Sequence, residues 1–163
     1  MRKRSSLFCS LAAALLLGAP VPVPAQPAGP HVVSVEAPPN LAARRSASFE
    51  IPLKLTIRSG YHINSHTPAE EYLIPTVLTW DTGPLGAAHA VAYPKAETVK
   101  YEFADKPLSV YSGTVAVVSH FAVPASAERG AAKLTGKLRY QACTDRLCLP
   151  PRTLNVTVPI QIE

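Results

Sequence analysis

The chain has 163 residues, 47% of them hydrophobic, which is enough for one domain with a substantial core. Its formal charge is +5, but Arg2, Lys3 and Arg4 stand at the very start, and the remaining 13 basic and 11 acidic residues give only +2. No basic stripe with interleaved aromatic residues follows, so the composition argues against a nucleic-acid-binding protein.

The first residues have the pattern of a signal peptide. An apolar segment over residues 7–18 follows the basic start, is too short to span a bilayer, and precedes small residues that end at Ala25. We therefore predict a signal peptide over residues 1–25, cleaved near Ala25, and a single exported domain over residues 26–163. Cleavage removes Cys9 and leaves two cysteines in an oxidising compartment.

Short alternating segments separated by turn signals make up the rest of the chain. The clearest is residues 46–58, where apolar residues recur at every second position from Phe49 to Ile57. Pro52 within it indicates an edge position or a bulge, and Thr67 can cap one helical turn. Other strands are predicted over residues 31–37, 75–80, 108–111, 114–123, 132–142 and 153–162, with a mixed extended segment over 91–103. Many short strands with almost no helical periodicity predict an all-β fold, an immunoglobulin-like antiparallel β-sandwich.

The two remaining cysteines, Cys143 and Cys148, flank the turn between the last two predicted strands. Residues so placed can lie within the roughly 4.4–6.8 Å between Cα atoms that a disulfide requires. Closing so short a loop stabilises a fold by roughly 2 kcal/mol, against about 5 kcal/mol for a loop of about a hundred residues. A close pair at a turn is also accessible to an incoming thiolate. Two functions stay open: a redox-active pair, or a structural disulfide in an exported immunoglobulin-like binding or assembly module.

The sequence gives little support for metal or cofactor chemistry. Two cysteines are half of a zinc ligand set, and the five histidines lack metal-ligand spacing. His62 and His66 are interpreted as polar surface residues. The processed chain has no methionine for a thioether copper site, because Met1 is the only one. We predict no metal and no cofactor.

The stretch around the cysteines resembles a known active site. Residues 140–145, Tyr-Gln-Ala-Cys-Thr-Asp, and residues 148–151, Cys-Leu-Pro-Pro, are similar to the signature of the N-terminal periplasmic domain of DsbD, the thiol:disulfide interchange protein. Residues 60–64, Gly-Tyr-His-Ile-Asn, and residues 72–76, Tyr-Leu-Ile-Pro-Thr, also resemble that family. The resemblance extends over most of the predicted exported domain, residues 30–162.

The resemblance implies an immunoglobulin-like periplasmic domain that accepts electrons from a membrane thiol-disulfide donor. It passes them to oxidised periplasmic proteins, which are thioredoxin-like or disulfide-isomerase clients. Cys143 and Cys148 would carry the exchange, with Cys148 forming the mixed disulfide and Cys143 resolving it. The best-known member has one more residue between its cysteines than the four found here. The membrane and thioredoxin-like domains of full-length DsbD do not appear in this sequence, so the donor is expected on a separate polypeptide.

The resemblance also implies a flexible cap loop that shields the cysteines until a partner docks. Residues 101–106 match this cap, so Phe103 is the candidate shield and Glu102 its neighbour. Tyr61 matches an aromatic residue beside the pair, and Tyr140 lies within the cysteine signature. The alternatives are an ordinary core position for Phe103 and packing within the sheet for Tyr61.

Overall fold

The computed structural model describes residues 31–163, so the predicted signal peptide and the first residues of the predicted exported domain lie outside the described residues. This described part contains twelve strands and no helix. The strands are β1 (Val33–Glu36), β2 (Leu41–Ala43), β3 (Ser48–Ile57), β4 (His62–Asn64), β5 (Val77–Trp80), β6 (Ala90–Ala92), β7 (Glu97–Val99), β8 (Leu108–Tyr111), β9 (Thr114–Ala122), β10 (Gly130–Tyr140), β11 (Ala142–Cys143) and β12 (Arg152–Ile162).

Two four-stranded sheets supply the main core. The first has the order β1-β3-β9-β6 and the second the order β2-β12-β10-β5. Strand β3 buries every second side chain from Phe49 to Ile57, and β10 and β12 alternate in the same way. The buried residues of both sheets form one cluster, which confirms the predicted all-β, immunoglobulin-like sandwich. The pairing of β2 with β12 is parallel, which the antiparallel prediction did not include.

Pro52 lies in β3 opposite Val118 of β9. Strand β1 pairs with β3 only between Lys54 and Ile57, so β3 has one neighbour instead of two at the proline. A proline, which lacks a backbone donor, is tolerated in such a place. The edge position predicted for Pro52 is therefore confirmed for this part of β3, although the end of β3 that pairs with β1 is central in the sheet.

A third, smaller sheet has the order β11-β4-β8-β7. A single residue, Gln141, separates the end of β10 from β11, so the chain passes directly from the second large sheet into the small one. Strands β11 and β8 pair with the two edges of β4, and all three residues of β4 are buried. Ile63 joins the main core on one face, and the ring of Tyr101 stacks on His62. This sheet positions the cysteine turn at the end of the sandwich core.

The single helical turn predicted after Thr67 does not form. The segment makes a turn instead, in which the Leu73 amide donates to the Glu70 carbonyl at 3.1 Å. Tertiary hydrogen bonds hold its two ends, because the Ser65 amide donates to Ser109 and the Thr76 amide to Ser65. These pairings override a weak local helical preference. Over residues 31–163 the structure contains no helix with the length and apolar character needed to cross a membrane.

Candidate functional site

A disulfide joins Cys143 of β11 to Cys148 across a tight turn. The two residues face each other in an antiparallel bridge with their Cα atoms 3.9 Å apart, closer than the range expected from the sequence. Two backbone hydrogen bonds of 2.8 Å close the same turn, one within residues 144–147 and one from the Leu149 amide to the Ala142 carbonyl. The turn is therefore constrained by its backbone independently of the S–S bond.

The two cysteines differ in exposure. Cys143 is completely buried, at 0% relative accessibility. Cys148 is half-buried, and its neighbour Leu147 is 54% exposed. A thiolate from another protein must approach a disulfide sulfur directly to attack it. The accessible partner for such an attack is Cys148, and Cys143 lies behind it.

The side-chain amide of Gln141 ties the cysteine turn to its surroundings. Its Oε1 accepts hydrogen bonds from Asn64 Nδ2 at 3.3 Å and from the Ile74 amide at 3.4 Å. Its Nε2 donates to the Leu149 carbonyl at 3.2 Å, just beyond Cys148. One residue thus connects β4, the 65–76 loop and the segment after the disulfide.

The predicted cap, residues 101–106, forms a compact turn beside the small sheet. The Ala104 amide donates to the Tyr101 carbonyl at 3.3 Å. Lys100 Nζ donates to the carbonyl oxygens of Ala104 and Asp105, at 2.5 and 2.6 Å. An ion pair between Lys106 and Glu70, 3.0 Å long, fastens the end of the cap to the 65–76 loop.

Three rings form a stack that leads from the cap to the cysteine turn. Phe103 is 40% exposed, and its ring centroid lies 5.7 Å from that of Tyr101. Tyr101 in turn stacks on His62 with centroids 4.1 Å apart and an interplanar angle of 16°. Tyr101 therefore covers His62, the residue opposite Cys143, and Phe103 contacts Tyr101 on its other side.

His62 is buried next to the disulfide, at 4% relative accessibility, so its interpretation as a surface residue is wrong. It lies directly opposite Cys143 in the β4–β11 pair. Among residues 31–163 its buried Nε2 has no hydrogen-bond partner. Burial lowers the pKa of His62, and the negative charge of Asp145 offsets part of this effect. An uncharged imidazole at neutral pH is the result.

A shallow pocket of about 310 Å³ opens beside His62. Tyr61, which the resemblance places near the pair, lines it together with Tyr101, Ser112 and Asp145. Tyr61 is half-buried, and the Arg58 guanidinium lies 4.8 Å from the centre of its ring. Tyr61 thus borders the surface around the disulfide loop, as an aromatic wall of this pocket.

The other predicted site residues lie farther from the centre of this arrangement. Glu102 is exposed on the cap. Tyr140 is 1% exposed and belongs to the main core at the end of β10. In the described part of the chain no three His, Cys, Asp or Glu side chains are grouped as a metal site would require.

Sequence reasoning missed the places of His62, Tyr101 and Gln141. Neighbouring residues of a strand point to opposite faces, so an inward Ile63 would leave His62 on the outer face, but all three residues of β4 are buried. Only one sequence feature pointed to His62: it lies in the segment 60–64 that resembles the family, two residues after a glycine turn. The contacts of Gln141 reach 67 and 77 residues back along the chain, so no local pattern reports them.

Comparisons with known proteins place these features in a family. Residues 30–159 match the family described as thiol:disulfide interchange protein DsbD, N-terminal. The fold is similar to the N-terminal periplasmic domain of ScsB from Proteus mirabilis, with a TM-score of 0.50 and 14% identity, over 76% of this chain and 44% of that one. The chain thus spans less than half the length of that structure.

A type I cohesin, the seventh of ScaB from Pseudobacteroides cellulosolvens, is more distant. It is 10% identical with a TM-score of 0.41, over 80% of this chain and 92% of the cohesin. No curated protein sequence matches the chain.

Proposed function

The chain belongs to the family of the N-terminal domain of the thiol:disulfide interchange protein DsbD, and on that premise we propose that it is a periplasmic thiol-disulfide exchange module. The observation that supports this most is the unequal burial of the pair. Cys148 is accessible at the turn while Cys143 lies behind it at 0% exposure. An attacking and a resolving cysteine need this arrangement, because only the first has to meet the partner protein.

The reaction has two exchange steps. In the reduced protein, the Cys148 thiolate attacks a disulfide sulfur of the client, an S–S bond forms between them, and one client sulfur leaves as a thiolate. Cys143 then attacks the Cys148 sulfur, the intramolecular disulfide forms, and the second client thiolate is released. The client gains two electrons, and the cysteine pair loses them. The reverse sequence with a dithiol donor reduces the pair again.

The proposed partners are proteins on both sides of the relay. Electrons come from a membrane thiol-disulfide donor on a separate polypeptide, and they go to thioredoxin-like or disulfide-isomerase clients. The exposed large hydrophobic residues of the described chain support docking here, since Tyr72, Phe103 and Leu147 all lie on segments around the cysteine turn. Exposed apolar groups concentrated at one place are typical of protein interaction surfaces.

The alternative is a structural disulfide in a binding module, and the structure offers a direct test. Because backbone hydrogen bonds already close the turn, replacing both cysteines by alanine should cost only roughly 2 kcal/mol of unfolding free energy. We expect a cooperative urea transition whose midpoint falls by about 1 M.

The variant Leu53→Ala calibrates this experiment. Leu53 is fully buried in β3, and its truncation should cost about 2–5 kcal/mol. If the double cysteine variant loses stability at the upper end of this range, about 5 kcal/mol, or has no folded baseline, the disulfide is structural and the exchange function is rejected.

A further inference from the structure

The resolving step contains a chemical difficulty that the structure makes specific. A thiol attacks a disulfide only as its thiolate, and the thiol has an ordinary pKa of about 8.5. Cys143 is completely buried, and burial in apolar surroundings disfavours the thiolate further. Solvent bases cannot reach this sulfur. A proton acceptor must therefore come from the protein itself if Cys143 is to react at neutral pH.

His62 occupies the place where such an acceptor is needed. Directly opposed residues of an antiparallel pair have Cβ atoms about 4.5–5.5 Å apart and side chains on the same face, and His62 is opposed to Cys143. Its Nε2 is buried and has no partner among residues 31–163. Its ring also lines the pocket beside Tyr61, which connects the imidazole to solvent.

We propose that His62 accepts the proton of the Cys143 thiol when Cys143 attacks the mixed disulfide. The inference rests on the proposed exchange function and deepens it. It adds a proton-transfer residue to a reaction that the two cysteines otherwise perform alone.

In this step the Cys143 S–H bond breaks and its proton moves to the imidazole, while the sulfur forms a bond to Cys148. The bond between Cys148 and the client breaks, and the client sulfur leaves with the electron pair. The imidazolium then gives its proton to the departing thiolate or to water in the pocket. No electrons reside on His62 at any stage, and its charge returns to zero.

The groups around His62 favour this role. The Asp145 carboxylate on the disulfide loop interacts with it by charge and raises its pKa against the effect of burial. Tyr101 covers it from the cap, and burial together with the Glu97 carboxylate raises the pKa of Tyr101, so this phenol is neutral. His62 is thus uncharged before the step, and a negative charge stands nearby to stabilise the imidazolium during it.

The experiment follows the two phases of one reaction. The reduced protein, purified after export, is mixed with the aromatic disulfide dithiobis-nitrobenzoate between pH 5 and pH 9. The first nitrothiobenzoate reports the mixed disulfide on Cys148, and the second reports its resolution by Cys143. In His62→Phe we expect an unchanged first phase. The second phase should be about tenfold or more slower at pH 7, since general bases contribute factors of this size or larger. The rate of the second phase in His62→Phe should rise with pH and reach the wild-type rate above the pKa of the thiol.

Three further variants keep the test decisive. His62→Gln retains polarity and should show the same slow second phase, and it replaces His62→Phe if that variant does not fold. Asp145→Asn removes a charge that raises the His62 pKa, so the acid limb of the second phase should move to lower pH. His66→Phe is the matched control, because His66 is exposed and stacks on Tyr93 at 3.9 Å. It should leave both phases unchanged.

The outcomes separate this inference from the function on which it rests. If the wild-type protein releases two nitrothiobenzoates and the His62 variants resolve at the same rate with the same pH dependence, the proton-transfer role is wrong and the exchange function stands. Equal slowing of both phases would show a structural effect and would also overturn the role. If the wild-type protein releases only the first nitrothiobenzoate, the exchange function itself fails.

Discussion

Cys148→Ser should abolish electron transfer to a disulfide-bonded client, with a loss of at least about 10³-fold in rate. The reason is access, because the remaining thiol of Cys143 is completely buried and cannot meet a partner protein. Cys143→Ser should behave differently. It leaves the accessible thiol in place, so it should attack clients and then remain joined to them. The measurement is a non-reducing gel after incubation of each reduced variant with an oxidised thioredoxin-like protein.

The two serine variants control for each other, because each makes the same chemical change in the same turn. A covalent adduct with Cys148→Ser but not with Cys143→Ser would reverse the order of attack. It would also require Cys143 to become exposed when a partner docks. Absence of adducts with both variants would show that the pair does not exchange with such clients.

Tyr101→Ala should open the cysteine turn to small thiols. Tyr101 lies between Phe103 and His62, stacked on both. Each aromatic stack stabilises the closed cap by about 0.5–1.5 kcal/mol beyond the burial of its area. A change of about 1.4 kcal/mol alters the equilibrium between the closed and the open cap tenfold. Removing both stacks should therefore accelerate reduction of the disulfide by dithiothreitol about tenfold. The rate is measured by trapping free thiols at successive times.

Phe103→Ala distinguishes the contribution of Phe103 to the reduction rate from that of Tyr101. The family resemblance implies that Phe103 is the shield, whereas in this structure Phe103 stacks on Tyr101 and Tyr101 stacks on His62. We expect a smaller acceleration than for Tyr101→Ala. His66→Ala removes one ring of the His66–Tyr93 stack outside the cap and should leave the rate unchanged. A larger effect of Phe103→Ala than of Tyr101→Ala would make Phe103 the direct cover, and unchanged rates in both would end the idea of a cap.

The strands of the sandwich could be predicted from the sequence because their signal is local. In β3, alternation between Phe49 and Ile57 arises from one buried face, and each residue reports its own side of the sheet. The last two strands pair over their full length, and turn residues separate them. In the third sheet, β8 coincides with the strand predicted over residues 108–111, but β4 and β11 have only three and two residues and carry no comparable signal.

The site was predictable only in part. The cysteine signature indicated the pair, and family resemblance indicated the cap. The stack of Tyr101 on His62 depends on a turn folding back on a strand about forty residues earlier in the sequence. Periodicity cannot report the burial of His62, which pairs with Cys143 and stacks on Tyr101, both distant along the chain. The same applies to Gln141, whose amide joins three segments.

The reduction potential of the Cys143–Cys148 pair tests the central claim most directly. The protein purified after export is equilibrated with glutathione and dithiothreitol buffers, its thiols are trapped, and its fold is followed by circular dichroism. An electron relay requires a potential between those of thioredoxin, about −270 mV, and of the oxidant DsbA, about −120 mV, with the fold retained in both redox states. A potential below about −300 mV, with loss of the fold on reduction, would contradict the account and identify the disulfide as structural.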